Sequence, residues 1–253
     1  MSSSTRSAKR SSVERIGSLL LLTLPAAHAD SLGFGQDAAV PVVIAATRLQ
    51  QSLYDTPAAV TVIDRALIRA SGARDLPDLL RLVPGMVVGR ESASEAYVSY
   101  HGTAGFGSRR MQVQIDGRSV YQAGLALVDW IGLPLDIEDI ERIEVVRGPN
   151  SATYGANSFL AVVNIITRHP QDVPNAEAMV RPGENGIADA FARLSLHGLG
   201  ADWSWSAFHR QDDGYDTNLK RGTPYMDDMS VTGAYGKGVW YTPRDGQFTL
   251  SAG

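Results

Sequence analysis

The sequence predicts an α+β domain followed by a series of antiparallel β-strands, within a chain of 253 residues. In the first half, short segments with the spacing of amphipathic helices are interleaved with β-branched runs, which is the pattern of an α+β domain with a small mixed sheet. After Pro170 the helical spacing disappears, and apolar and polar residues alternate with the two-residue period of a strand. The 25 glycines and 12 prolines supply the turns that many short strands require.

The composition limits the classes of function. Hydrophobic residues make up 44% of the chain, which is enough to form a core, so a disordered chain is not expected. Lys and Arg number 23 against 27 Asp and Glu, so the chain lacks the positive charge that nucleic-acid binding requires. The chain has no cysteine, which excludes disulfides, thiolate metal sites and a cysteine nucleophile.

Residues 1–29 are predicted to be a cleaved secretory signal peptide. Basic residues precede an apolar stretch at 16–24, and the small-residue triplet Ala27-His28-Ala29 follows it. This order is typical of an exported protein with an A-x-A cleavage site, so Asp30 is the expected first residue of the mature chain. The apolar stretch is too short for a membrane-spanning helix, because residues rising about 1.5 Å each must cross about 30 Å of hydrocarbon.

Residues 30–50 are predicted to be a flexible leader, since Gly33, Gly35 and Pro41 interrupt them and no helical period is present. Residues 40–45 nevertheless form a short β-branched run, VPVVIA. Two interpretations are open. The run is either the first strand of the domain or a peptide that adds itself as a strand to the sheet of another protein.

Residues 51–168 are predicted to form a compact α+β domain. Asp64 and Asp75 are placed to cap two short helices, the first ending at Gly72 and the second at Pro84-Gly85. Asp116-Gly117 supplies the turn residues of a β-hairpin. The predicted strands are residues 58–63, 111–115, 118–121, 142–147 and 160–167.

Residues 169–253 are predicted to form antiparallel strands with one apolar and one polar face. At 188–197, Ala and Leu side chains share one face, and charged or hydroxyl side chains share the other. The loop at 211–228 is long and polar, whereas the links at 198–202 and 243–246 are short. Short turns at one end and longer loops at the other are typical of a transmembrane β-barrel. A soluble β-sandwich would show the same alternation, so these residues alone leave both architectures open.

No motif for catalysis or for a bound cofactor is found. The histidines of the predicted mature chain are scattered, without the short spacing of metal ligands. The glycines at 102–107 precede a strand and not the helix N-terminus that a phosphate-binding loop requires. No G-x-S-x-G nucleophile motif occurs. The sequence therefore predicts a protein that is not an enzyme, with no cofactor and no metal site.

Several sequence blocks resemble one family. The run ERIEVVRGPNSATYG at 141–155, followed by VVNIITR at 162–168, resembles the plug domain of TonB-dependent outer-membrane receptors. PAAVTVI at 57–63, LLRLVPG at 79–85 and VQIDGR at 113–118 support the resemblance in the family's order. It covers about residues 42–168.

The resemblance implies an architecture. Residues 51–168 would be the plug domain, and residues 169–253 would be the start of the transmembrane β-barrel that encloses it. Barrels of this class have about 22 strands, of which the residues after Pro170 supply roughly five, so the barrel would be incomplete in this chain.

The resemblance also implies a function. That function is the energy-coupled uptake of a scarce ligand, such as a ferric siderophore or cobalamin, across the cell outer membrane. The implied partners are outer-membrane lipid and a TonB-type energy-coupling protein. The alternative is a secreted periplasmic plug-like module that binds the energy-coupling protein and encloses no pore.

The family's functional positions can be placed on this sequence. The leader residues resemble the TonB box, which the energy-coupling protein binds: Val40, Pro41, Val42, Val43, Ile44 and Ala45. Two apical plug loops, at 90–97 and 120–127, supply candidate ligand contacts: Glu91, Ser92, Glu95, Tyr97, Tyr121 and Gln122. These six could equally be exposed loop residues without a ligand. The expected plug–barrel contacts are Arg147 and His101, which stands where the family usually has arginine.

Overall fold

The computed structural model describes residues 42–44, 51–52, 54, 56, 58–102, 110–122, 124–125, 127–198, 200–215, 217–218, 223–224, 227–242 and 246–253. The predicted signal peptide and three residues of the predicted TonB box, Val40, Pro41 and Ala45, lie outside these residues. Within the described residues, no helix has both the length and the apolar composition to cross a bilayer.

The first part of the chain contains a five-stranded mixed sheet and short helices, as expected for an α+β domain. In this sheet β6 and β9 are parallel and the other neighbours are antiparallel, in the order β3-β8-β9-β6-β7. The strands are β1 Val42–Val43, β2 Gln51–Ser52, β3 Ala59–Ile63, β4 Met86–Arg90, β5 Ala96–Tyr100, β6 Met111–Ile115, β7 Arg118–Ser119, β8 Ile140–Arg147 and β9 Ala161–Thr167. The helices are α1 Arg65–Ser71, α2 Leu76–Leu80 and α3 Ser151–Tyr154, with 3-10 turns at Ile137–Asp139 and Pro170–Asp172.

Local sequence signals position these elements. The Asp64 carboxylate accepts a hydrogen bond from the Leu67 amide at 2.8 Å and starts α1, and Gly72 ends it with a φ of 67°. Asp116 and Gly117 have φ values of 47° and 80°, the conformation that joins two twisted strands by a two-residue turn. The second helix is shorter than predicted. It ends at Leu80, because the next amides bond carbonyls three residues back.

One face of the mixed sheet carries the main hydrophobic core. Val113, Val163 and Val145 are neighbours across β6, β9 and β8, and the isoleucines two residues along each strand form the next row. Helices α1 and α2 cover this face with buried aliphatic side chains: Ile68, Leu76, Leu79 and Leu80. Burying this apolar area from water is the main stabilisation of this domain, residues 51–168, which we call the plug after the family domain that it resembles.

The second part of the chain forms a separate five-stranded antiparallel sheet, in the order β10-β11-β12-β15-β16. Its strands are β10 Ala176–Pro182, β11 Ala188–Gly198, β12 Ala201–Asp212, β15 Met229–Tyr241 and β16 Gln247–Ala252, and β13 Thr217–Asn218 pairs with β14 Thr223–Pro224 in the long loop. The described strands do not close into a barrel. Strands of 11 to 13 residues are long enough to cross the hydrocarbon layer at a tilt.

The two faces of this second sheet have inverted polarity. Val180 and Leu194 are 73% and 62% exposed, whereas Asp189, Arg193 and Ser195 on the opposite face are buried against the plug. A soluble sandwich buries its apolar face and exposes its polar face. The observed arrangement, apolar outside and polar inside, is that of a transmembrane barrel wall around a polar interior. The sandwich interpretation is therefore excluded for these strands.

Candidate functional site

A cleft of about 360 Å³ lies between two loops of the plug. The first loop, residues 91–95, joins β4 to β5, and the second, residues 120–131, follows β7. The lining includes Glu95, Tyr97, Gln122, Asp129, Trp130 and Ile131. Three of the six predicted ligand contacts, Glu95, Tyr97 and Gln122, thus lie together at one cleft.

The other three predicted contacts lie differently. Glu91 is exposed on the first loop but does not line the cleft, and Ser92 is buried, with its hydroxyl 3.2 Å from that of Ser94. Tyr121 is half-buried and packs against the main core. Sequence reasoning missed Asp129 and Trp130. The sequence signal for them is a single acidic residue within the otherwise apolar run at 128–131.

Backbone hydrogen bonds hold both loops in shape. In the first loop, the Glu91 amide donates to the Glu95 carbonyl at 3.0 Å. In the second, the Gln122 amide donates to the Leu127 carbonyl at 3.0 Å. Asp129 Oδ1 accepts from the Gly132 amide at 3.0 Å and closes the loop's end. Loops stabilised in this way present their side chains in a fixed arrangement, as a ligand site requires.

The lining combines an apolar floor with acidic and aromatic groups. Val128, Trp130 and Ile131 line the cleft and are buried, and Tyr97 is 38% exposed. The charged side chains of the lining are carboxylates, Glu95 and Asp129. Among the described residues, no group of three or more His, Asp or Glu could hold a metal ion. The cleft can therefore bind a ligand by ring contact and by accepting hydrogen bonds.

The cleft is attached to the end of the second sheet that carries the long loop. The Ala93 amide donates to Asp227 Oδ2 at 2.9 Å, and Asp227 Oδ1 accepts from the Tyr215 amide at 2.8 Å. Ala93 also packs with Ile131 and Met229 in a small apolar cluster. In transmembrane barrels the longer loops are extracellular. The cleft lies at the end that would face outward.

Ion pairs connect the plug to the strands. Arg74 binds Asp189 through two hydrogen bonds of 2.7 and 2.9 Å and also contacts Asp212. Burial alone would lower the pKa of Arg74, but the hydrogen bonds and charges of Asp189 and Asp212 outweigh it and raise the pKa. Arg74 is therefore a permanently charged, two-pronged contact at the same end as the cleft.

A second group of ion pairs has the opposite polarity, with arginines on the strands and carboxylates on the plug. Arg193 of β11, whose side chain is 1% exposed, donates to Asp139 of the plug at 2.8 Å and, within the second sheet, to Glu177 of β10 at 2.7 Å. Arg181 of β10 contacts Asp136 at 3.0 Å. Burial raises the pKa of Asp139, and the hydrogen bond and charge of Arg193 offset this only in part.

A third contact lies near the hairpin turn of the plug. The Lys237 ammonium of β15 lies 3.2 Å from Asp116 Oδ2 and 2.8 Å from Thr167 Oγ1. Asp116 also accepts hydrogen bonds from the amide and hydroxyl of Thr167. The turn that positions Asp116 thus also joins the plug to the strands.

The structure places His101 and Arg147 away from these ion pairs. His101 lies in an exposed turn with a φ of 56°, and its ring is 4.1 Å from that of Tyr100. Arg147 lies half-buried at the end of β8, and its Nε has no hydrogen-bond partner within the described residues. Neither forms an ion pair with the strands that the structure describes. Their role in plug–barrel contact stays a prediction.

The described part of the leader lies against the plug. Val42–Val43 pairs as β1 with β2, and Val43 is fully buried. The Ile44 amide donates to Glu144 Oε2, on β8 of the plug sheet, at 2.9 Å. The predicted box therefore contacts the plug through both a strand pair and a carboxylate.

Comparisons with known sequences agree with this architecture. The family model described as TonB-dependent Receptor Plug Domain matches residues 52–162. The vitamin B12 transporter BtuB of Photobacterium profundum is 31% identical over 190 residues, covering 74% of this chain and 30% of that protein. BtuB of Vibrio vulnificus is 27% identical over 180 residues, covering 69% of this chain and 28% of that protein. The chain thus spans less than a third of either relative.

Solved structures share the fold. The receptor FpvA of P. aeruginosa, bound to a heterologous pyoverdine–iron complex, superposes with a TM-score of 0.65 at 20% identity, covering 83% of this chain and 26% of that chain. The alcaligin outer-membrane receptor FauA of Bordetella pertussis gives a TM-score of 0.64 at 21% identity, covering 83% of this chain and 34% of that chain. Together with the plug match, these findings show that the chain belongs to the TonB-dependent receptors, of which it carries the plug domain and the antiparallel barrel strands that follow it.

Proposed function

We propose that this chain is the plug and first barrel strands of an outer-membrane transporter that takes up a scarce ligand, of the cobalamin or ferric siderophore type, with energy from a TonB-type partner. The observation that carries the proposal is the cleft at Glu95, Tyr97 and Gln122. It lies at the end of the second sheet that carries the long loop, where a ligand would arrive from outside the cell.

The outer membrane is the proposed location because of the exposed face of the second sheet. Leu194, Leu196 and Leu250 are each more than half exposed on that face. Trp203, Trp205 and Trp240 form a group of ring contacts near the short turn at the opposite end of the strands. Apolar side chains flanked by aromatic rings fit acyl chains and the headgroup boundary. A soluble periplasmic module would leave this face in water, so it is not favoured.

The charge of the cleft favours a neutral or positively charged ligand. Glu95 and Asp129 would repel an anionic ferric chelate. A cobalamin-type ligand carries amide groups around a large ring, and these could donate to the two carboxylates while the ring lies near Tyr97. The similarity to proteins named vitamin B12 transporters supports the same ligand class.

The leader is the proposed attachment point for the energy-coupling protein. Val42–Val43 already forms a strand within this chain, so the same backbone groups can pair with a strand of a partner once the leader leaves β2. The box would extend over residues 40–45, with Pro41 turned away from the partner because it has no amide hydrogen.

The experiment is a binding and uptake assay in cells that express a full-length receptor containing these residues. Labelled cyanocobalamin and a ferric catecholate chelate are compared at equal concentration. Cobalamin is expected to bind and enter, and Tyr97→Ala is expected to weaken its binding about tenfold, or about 1.4 kcal/mol. Tyr54→Ala, which removes an exposed aromatic ring outside the cleft, is the matched control and should leave affinity unchanged.

Two results would contradict the proposal. Absence of uptake of any ligand of the panel would contradict transport itself. Uptake with normal affinity in Tyr97→Ala would leave transport intact but would show that the cleft is not the ligand site.

A further inference from the structure

The second face of the plug sheet carries polar side chains beside a small apolar cluster of Val146 and Val162. Gln114 of β6, Asn164 of β9 and Glu144 of β8 are direct neighbours in register, so their side chains form one row across three strands. We call these three residues the polar row. The main core lies on the opposite face of the same strands.

The polar row is buried although its hydrogen bonding is incomplete. Glu144 has no exposed surface and forms an ion pair with Arg142 at 2.8 Å. Asn164 is 6% exposed, and its Oδ1 has no hydrogen-bond partner within the described residues. An unpaired amide oxygen in a closed interior is unfavourable, and an aliphatic side chain would stabilise this position better. The row is therefore poorly suited to permanent burial.

The leader lies on this face. Ile44 donates its amide to Glu144 Oε2 at 2.9 Å, which ties the leader backbone to one member of the polar row. Val43, the preceding residue of the leader, is buried. Withdrawal of the leader would remove this donor from Glu144.

We propose that the polar row lines the aqueous passage that opens when the leader is withdrawn, so that the ligand crosses the barrel along the leader side of the plug sheet. This rests on the proposed transport function. Water can hydrate the row at little cost, because it bonds the Asn164 oxygen left unpaired in the closed state and replaces the Ile44 amide at Glu144. Exposing the opposite face would uncover the much larger set of valines and isoleucines of the main core, against the two buried valines, Val146 and Val162, on this face.

The passage so defined has a chemical character. Its wall offers amide groups and one carboxylate, with the Arg142 guanidinium next to the carboxylate. The row exchanges hydrogen bonds readily with a ligand rich in amides or hydroxyls. Next to it on the same face lies the small apolar cluster of Val146 and Val162.

The test is cysteine labelling during transport. The chain has no cysteine, so each introduced thiol is the one reactive group of this segment. Asn164→Cys and Val163→Cys are neighbours on β9 that point to opposite faces, and they form a matched pair. A charged methanethiosulfonate reagent is added to cells expressing a full-length receptor that contains these residues and no other cysteine. Labelling is compared with and without the energy-coupling protein, in the presence of cyanocobalamin.

The proposal expects Asn164→Cys to label at least about tenfold faster when the energy-coupling protein is present and uptake proceeds, and Val163→Cys to stay unlabelled. Gln114→Cys provides a second site on the row, with Val113→Cys as its control, in case one variant does not fold. Attachment of a bulky thiol reagent at residue 164 should then stop further uptake while surface binding of cobalamin persists.

The outcomes separate this inference from the function on which it rests. Uptake without labelling of either row position would overturn the passage and leave transport standing. Equal labelling of Val163→Cys and Asn164→Cys would show that the whole sheet unfolds, which also overturns it. Absence of any uptake would contradict the transport function itself, and the passage with it.

Discussion

The contact between Arg193 and the acidic turn of the plug allows a quantitative prediction. Arg193→Ala removes a side chain that is 1% exposed and leaves Asp139, also buried, without its cation. It further removes the donors to Glu177 and to the Glu138 carbonyl. Loss of one partner from a buried ion pair destabilises by about 3–5 kcal/mol, because the remaining charge stays desolvated. We expect about 3 kcal/mol, since Asp136 and its neighbours keep Arg181 nearby.

The assay is urea unfolding of the plug in the purified full-length receptor. Trp130 is buried in the plug core, whereas the other tryptophans of this chain lie on the second sheet: Trp203, Trp205 and Trp240. A fluorescence change that Trp130→Phe abolishes therefore reports the unfolding of the plug. With a slope of about 2 kcal/mol per M, a loss of about 3 kcal/mol lowers the midpoint by about 1.5 M.

Two further variants make this prediction specific. Arg193→Lys keeps the charge but has no planar group that can bind the three acceptors together. Its unfolding midpoint should therefore lie between those of the native protein and Arg193→Ala. The double variant Arg193→Ala with Asp139→Asn has no uncompensated charge. Its loss of unfolding free energy should therefore be smaller than the sum of the losses in the two single variants. Arg69→Ala, on the exposed side of α1, is the control. A midpoint shift of less than about 0.3 M in Arg193→Ala would refute the reasoning.

Three other perturbations follow from the structure. A Cβ at Gly89 would meet the ring of Tyr97, so Gly89→Ala should displace that ring. Equilibrium binding of cobalamin should weaken severalfold, and the free energy of unfolding should stay nearly unchanged. Val43→Pro removes a backbone donor of the leader, so it should abolish both uptake and binding of the energy-coupling protein, while ligand binding outside the cell persists. Normal uptake in this variant would contradict the assignment of residues 40–45 as the TonB box. Leu194→Lys places a charge on the exposed apolar face and should destabilise the membrane-inserted receptor by about 2–4 kcal/mol, whereas Leu194→Met should not, as measured by unfolding from lipid vesicles.

The sequence determined the local structure. Asp64 and Gly72 bound a helix, and Asp116-Gly117 form a hairpin turn, because capping and turn conformations depend on a few adjacent residues. The two-residue alternation after Pro170 likewise predicted antiparallel strands. The motifs at 141–168 identified the plug, and the family match over residues 52–162 confirms it.

Only the tertiary structure decided between a sandwich and a barrel wall. Alternation shows that a strand has two different faces but not which face meets the core. The answer came from Arg193 being buried against the plug while Leu194 is exposed. That choice depends on what covers the strand, and the covering residues lie more than 50 positions away in the chain.

Long-range polar contacts were also beyond the sequence. Arg74 and Asp189 are separated by 115 residues, and no local pattern pairs them. The cleft shows the same division: the family resemblance located Glu95, Tyr97 and Gln122, but Asp129 and Trp130 joined them only through folding of the second loop. A side chain's residue type is a local property, whereas its partner, burial and charge environment are set by segments that only the folded chain brings together.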